Sequence, residues 1–471
     1  MRKSIYLLAG ILFFCLVATS CEDDIIDGSK ADEKSRIGKM NIEDADLLYI
    51  SKQESDRKLY GVSDISSLRS SSNNKSGVYE IEIYNPKGKP IKNKIPHYIK
   101  DAGEYIIAFF KNNPASLYND EVYFISKKDG KAHIIPEKFF PVSGDYNERI
   151  FNKDLYNKRF VFKNATNSLE YLNINVDKHN RIYYTALECF NDGTCANVLY
   201  RASFQQNNEI KFEKISIDNE YASGYLIDNA GNSLYGSPGD IGLMRFTSAD
   251  KKITNQIEAD DKIQGESPLS QINFVWNSSD DIMAIKTIRG MRNPEDGSIS
   301  YIDDIILLTK LDKETGEFEE IKELEFDFKG KLPTTTDIFY TQGKVLFSHS
   351  IYGTQALLDI SNENAFQSIS CPLAANIVIG DHLYNFDRNN IRLTLIDVET
   401  GNTTPIYDFA KSIPEGYHIT NFLEITEEGV LFDAFRTSDK MNVVASIDVN
   451  KEFTILQESY GAVEVLVSMN N

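Results

Sequence analysis

The sequence predicts an all-β chain built as a β-propeller, and three observations carry that prediction. A hairpin pattern recurs at a mean interval of about 52 residues. Turns bearing Asn and Gly lead repeatedly into aromatic or aliphatic strands. The final stretch, residues 462–469, alternates valines with other residues and follows a unit that already has its full set of strands.

The hairpins are β-rich runs closed by a short polar turn, at residues 78–88, 122–130, 198–207, 243–250, 305–316, 356–362, 393–401 and 443–450. Before most of them stands a second element, a polar turn opening a strand, at residues 177–184, 228–235, 342–347, 380–384 and 427–432. Together they give four antiparallel strands per unit. Such a sheet cannot bury both faces alone, so radial stacking against like neighbours is the economical solution. Residues 462–469 are then the innermost strand of a blade whose other strands come from residues 46–89, which ties both chain ends together and removes exposed edges. The count is eight blades. Seven is the alternative, because the intervals from 130 to 207 and from 250 to 316 are long and the Ser-rich stretch 66–76 interrupts the first unit. Two β-sandwich domains are the other all-β solution, but they require no repeat running to the C-terminus.

The N-terminus supplies an address. Arg2 and Lys3 precede an apolar core, residues 5–18, which is shorter than the roughly 20 residues a membrane-spanning helix needs. This has the form of a cleaved export signal over residues 1–20. The end of that core, Ala18-Thr19-Ser20-Cys21, resembles the lipobox of bacterial lipoproteins, and the acidic Glu22-Asp23-Asp24 resembles the export tag of Bacteroidota lipoproteins. The resemblance implies lipidation at Cys21 and an outer-membrane protein facing the cell exterior. Residues 21–45, polar and charged, read as a flexible tether and residues 46–471 as the propeller. The exported region as a whole is similar to propeller-like lipoproteins of that phylum, many without an assigned activity.

Composition narrows the partners. The formal net charge is −20, and loss of Arg2 and Lys3 with the leader makes it −22, so nucleic acid is excluded as a partner class. The membrane is expected only through the lipid anchor, with a glycan or protein as the ligand. Of the five cysteines, Cys15 leaves with the leader and Cys21 takes lipid. Cys189 and Cys195 bracket a turn-rich Phe-Asn-Asp-Gly-Thr and are candidates for a disulfide in an oxidising compartment, while Cys371 reads as a small buried hydrophobe. Their spacing is not that of a metal site, and no metal is expected.

Propellers gather ligands where the connections between second and third strands meet, here residues 112–120, 187–197, 237–241, 289–304, 350–355, 386–390 and 436–441. Arg289, Arg292, Arg388 and Arg436 stand out there in an acidic chain, with Tyr352 and Asp387 beside them. Guanidinium groups grip carboxylates bidentately and tyrosines stack on pyranose rings, so these residues are candidates for an anion or sugar site. No G-x-S-x-G elbow, H-E-x-x-H, Walker loop or dinucleotide fingerprint is present, and no cofactor is expected. The expectation is a non-enzymatic binding or scaffold module. The competing reading is a polysaccharide lyase or glycoside hydrolase at the channel mouth, with His349 as the candidate catalytic residue.

Overall fold

Central strands of this protein are apolar on both faces rather than on one. Leu47–Ser51 is buried at all five positions, and Val430, Leu431 and Phe432 follow one another in the core. A strand buried on both sides needs a packed layer above and below its sheet. The computed structural model supplies those layers. It describes residues 39–51, 58–63, 77–92, 94–111, 121–141, 161–163, 174–189, 195–205, 209–216, 225–236, 243–258, 260–261, 269–278, 280–293, 295–323, 336–342, 344–351, 354–359, 367–371, 375–459 and 463–469.

Among the described residues the strands fall into eight sheets of mainly antiparallel strands, here numbered in chain order. Sheet 1 holds Leu47–Ser51, Leu59–Ser63 and Gly77–Ile81, with Lys39–Met40 at one edge and Val463–Ser468 at the other. Sheet 2 is Ile95–Ala102, Tyr105–Lys111, Glu121–Ser126 and Ala132–Ile134; sheet 3 is Asn175–Val176, Ile182–Cys189, Cys195–Phe204 and Ile210–Lys214. Sheet 4 is Tyr225–Ile227, Ser233–Gly236, Leu243–Thr247 and Thr254–Glu258. Sheet 5 has Ser270–Ser278, Asp281–Arg292, Ile299–Leu311 and Phe318–Glu323, and its first strand also pairs with Asp260–Asp261 and, in parallel, with Val161–Lys163. Sheet 6 is Thr336–Thr341, Lys344–Ile351, Thr354–Asp359 and Gln367–Cys371; sheet 7 is Ala375–Ile379, His382–Asp387, Arg392–Ile396 and Thr403–Asp408. Sheet 8 is Tyr417–Thr426, Gly429–Arg436, Met441–Asp448 and Phe453–Ser459.

Among the described residues, sheets 1 to 5 and sheets 7 and 8 pack face to face in succession. Leu48 and Ile50 of sheet 1 meet Ile99 and Ile106 of sheet 2, whose Ile107 and Phe124 meet Tyr184 and Val198 of sheet 3. Tyr183 and Leu199 join Tyr225 and Tyr235 of sheet 4, and Met244 and Phe246 join Val275 and Ile282 of sheet 5. Sheets 6 and 7 are joined by the Thr341 hydroxyl donating to the Asp381 carbonyl at 2.7 Å and by a 3.0 Å ion pair from Lys344 to Glu399. Phe386 and Leu393 of sheet 7 pack on Val430 and Phe432 of sheet 8. Each such side chain contributes about 1.5–3 kcal/mol when removed from water, so the core is distributed along the chain rather than centred. Sheets of four antiparallel strands stacked in chain order are the architecture of a β-propeller.

The two chain ends meet in sheet 1. Val463–Ser468 runs antiparallel to Leu47–Ser51, with Leu47 opposite Ser468 and Ile50 opposite Val465. Sheet 8 reaches this strand through the Asp433 carboxylate, which accepts from the Val463 N–H at 3.2 Å. Tyr49 of sheet 1 also donates its hydroxyl to Gln457 of sheet 8.

The hairpin repeat read from sequence is in phase with seven of the sheets. Residues 78–88 are the exception. Gly77–Ile81 is the fourth strand of sheet 1, and the turn at Asn85–Gly88 lies beyond it rather than between third and fourth strands. The corresponding connection of sheet 1 runs through residues 64–76, which lie outside the described residues, as do the export signal and most of the tether.

Candidate functional site

Antiparallel order puts second-to-third connections at one end of every sheet and the other two turns at the opposite end. All seven segments nominated from sequence are indeed second-to-third connections. Arg289 and Arg292 lie on the second strand of sheet 5, and Asp387 and Arg388 at the second-to-third turn of sheet 7. Arg436 ends the second strand of sheet 8, and His349 lies on the second strand of sheet 6, opposite Ala356. Tyr352 and Cys21 fall outside the described residues.

Two of these residues are taken up locally. The Arg436 guanidinium donates to Asp439 at 2.5 Å and to Glu458 at 2.7 Å, both on its own sheet, and those bonds raise its pKa. Asp387 accepts from the Asn389 and Asn390 backbone N–H groups and from the Asn390 amide, which holds its carboxyl below the usual range. Arg388 is exposed in the same turn. The backbone register sets Cys189 directly opposite Cys195.

At the other end of the molecule, sheets 2 and 3 flank a cleft of about 490 Å³ lined by Tyr105, Arg181, Arg201, Phe204, Lys211 and Glu213, among others. Its floor is a polar network built on one turn. Asp177 begins the first-to-second turn of sheet 3 and accepts from the His179 N–H at 2.8 Å and the Arg181 N–H at 3.1 Å, the Asx geometry that stabilises a tight turn. The same carboxylate receives Arg181 Nε at 2.5 Å and the Tyr183 hydroxyl at 3.0 Å. Arg181 Nη2 then reaches the Ala230 carbonyl of sheet 4 at 2.7 Å. Gly231 sits against this network at φ +91°, where a Cβ would lie 2.4 Å from both Arg181 Nη2 and the Tyr183 hydroxyl.

Arg201 is the second anchor. It is 7% exposed, and its fork donates to Glu213 at 2.9 Å and to the Ala249 carbonyl at 2.8 Å, while Nε has no acceptor among the described residues. Burial opposes its charge, but the neighbouring Tyr183 hydroxyl and the Glu213 carboxylate outweigh that and raise its pKa. Burial likewise opposes charge on Glu213, yet Arg201 and Lys211 pull its carboxyl below the usual range. Lys251, at the adjoining turn of sheet 4, has its pKa lowered by burial and by repulsion from Arg201 and Lys211. Burial pushes Tyr183 up to about 12. The wall of the cleft is aromatic: Tyr105 stacks on Phe204 at 3.8 Å and 4°, and Phe124 and His133 meet Phe204 edge-on.

Around this cleft Arg181 is neutralised by Asp177, whereas Arg201, Lys211 and Lys251 share Glu213. Glu104 lines the cleft as well, so three lining cations, Arg181, Arg201 and Lys211, face the carboxylates of Glu104, Glu213 and Asp177 in a chain of net charge −20. Sequence reading missed this end because it searched only second-to-third connections. The available signal was Arg201, a charged residue inside the apolar strand Cys195–Phe204. Among the described residues no group of three or more His, Cys, Asp or Glu side chains gathers to hold a metal, and no helix is long and apolar enough to cross a membrane.

No known protein family matches the sequence, and no curated protein does. The fold is similar to solved structures at low identity. A catalytically inactive virginiamycin B lyase from Staphylococcus aureus, with quinupristin, is 11% identical with a TM-score of 0.33, over 75% of this chain and 94% of that one. A putative 6-phosphogluconolactonase from Bacteroides uniformis is 12% identical with a TM-score of 0.34, over 78% and 99%. The β-propeller domain of a Myceliophteria thermophila protein is 10% identical with a TM-score of 0.32, over 62% and 88%. Likeness at this level carries no information about substrate.

Proposed function

We propose that the chain is a lipoprotein anchored through Cys21 in the outer membrane, facing the exterior, and that it is a non-enzymatic binding module for a glycan, peptide or partner protein. Its eight sheets are the blades of one closed ring, sealed where residues 463–468 complete sheet 1. The observation that supports the binding role best is the cleft between sheets 2 and 3, where Arg181, Arg201 and Lys211 gather beside aromatic rings in an acidic chain. Its buried ionised groups are held by ion pairs and hydrogen bonds, a preorganised surface that attracts and orients a ligand. The lipobox-like Ala18-Thr19-Ser20-Cys21 supports the address.

Metabolic labelling with a fatty acid, combined with crosslinking of intact cells and a glycan array probed with the full mature chain in detergent, tests both parts. Label and membrane retention are expected in the wild type and lost in Cys21→Ser. Retention of label by that variant removes the anchor reading, and absence of any captured glycan, peptide or protein removes the binding reading.

A further inference from the structure

We infer that the cleft between sheets 2 and 3 binds an acidic sugar, its carboxylate held by Arg181 and Lys211 and its ring laid against the Tyr105–Phe204 wall. This rests on the binding role proposed above and names the ligand class. Three features of the cleft carry it.

The first is unspent donor capacity. Arg181 uses Nε on Asp177 and Nη2 on the Ala230 carbonyl, so Nη1 keeps its hydrogens for a ligand. Lys211 is 60% exposed and touches only Glu213, at 3.2 Å, leaving two ammonium hydrogens without a partner among the described residues. A carboxylate between them would form charge-assisted hydrogen bonds without displacing the existing pairs. The second feature is rigidity. Arg181 is fixed by Asp177 and the Ala230 carbonyl, and Arg201, buried behind it, is fixed by Glu213 and the Ala249 carbonyl. Little conformational entropy remains to be lost on binding. The third is the mixture of surfaces. The stacked rings of Tyr105 and Phe204 present apolar area to the C–H face of a pyranose, and Ser203 and Gln205 on the same lining offer hydroxyl and amide groups to ring hydroxyls. A small inorganic anion would leave the aromatic wall unused. A neutral sugar would leave the unspent Arg181 and Lys211 hydrogens without an anionic acceptor.

Isothermal titration of the mature chain with oligogalacturonate, with the matching neutral galactose oligomer, and with inorganic sulfate as competitor tests the inference. Lys211→Glu, at an exposed position, and Tyr105→Ala are the variants, each checked by its melting curve against the wild type. Oligogalacturonate should bind, the neutral oligomer should bind at least about tenfold more weakly, and Lys211→Glu should weaken the acidic ligand by about tenfold or more, as loss of a charge-assisted hydrogen bond implies. Tyr105→Ala should weaken both oligomers. Oligogalacturonate binding unchanged in both variants, or no binding of it at all, overturns the inference while leaving the binding role to the array and crosslinking results. Displacement by sulfate as effective as by free galacturonate reduces the cleft to an anion site and overturns the sugar.

Discussion

Asp177 shows how one side chain serves several levels at once: it closes a turn, neutralises Arg181 and receives the buried Tyr183 hydroxyl. Because Gly231 of the next sheet touches that network at a positive φ, substitution there meets both steric conflict and backbone strain. Gly231→Ala should lower stability by about 1–3 kcal/mol, read as a fall in denaturation midpoint. A second residue has a pH signature. Burial pushes Glu424, on the first strand of sheet 8, up to about 7 from an ordinary 4.5. The folded state therefore binds more protons than the unfolded chain between those values, and stability must fall as pH rises through that window. Glu424→Gln should melt like the wild type near pH 4 and be more stable by up to about 2 kcal/mol at pH 8. Equal melting temperatures at pH 8 would remove the assignment. None of this was legible from sequence, since Glu424 looks like any strand glutamate until a register shift beside it and its packed neighbours decide its burial.

At the level of single elements, turns were the most legible part of the chain. Asp312, Asp397 and Asp448 each open a third-to-fourth turn and accept backbone N–H groups two to four residues on, while Gly316 and Gly401 take positive φ. These are local rules of turn chemistry, so spacing alone disclosed them. The phase of the first hairpin was not legible, because a polar turn at Asn85–Gly88 resembles the others while lying between sheets. The cleft was not legible either: it depends on which turns adjoin across sheets 2, 3 and 4, and Lys211 and Arg181 are ordinary surface types one by one. The Cys189–Cys195 hairpin is a further element with a consequence. Directly opposed residues on antiparallel strands lie about 4.5–5.5 Å apart at Cα, inside the roughly 4.4–6.8 Å that a disulfide spans. Chain purified from an oxidising compartment should show a single thiol on denaturation, Cys371, rather than three, and reduction should lower stability by about 2 kcal/mol. Three thiols titrating without reductant would exclude the bridge.

Over the whole molecule, sequence gave the all-β class, the repeat and the terminal strand because periodic hydrophobicity survives averaging over many units. Both-face burial of central strands, as in Leu47–Ser51, is the physical reason the repeats stack rather than form independent sheets. The terminal strand carries a large share of the cooperativity expected. Deleting residues 462–471 would expose the edge of Leu47–Ser51 and leave the buried Asp433, whose pKa burial already raises, without its Val463 donor. A broadened, lower-temperature unfolding transition is expected by calorimetry, and an unchanged transition would show that residues 463–468 do not secure the fold.

The polarity of that terminal pairing has a mechanical meaning. Leu47 lies opposite Ser468, so the entering and leaving ends of the two strands sit at the same end of the ladder. Tension applied between Leu47 and Ser468 would therefore peel the pair one rung at a time instead of shearing all rungs together, whereas Lys39–Met40, where the chain first joins this sheet, lies at the opposite edge.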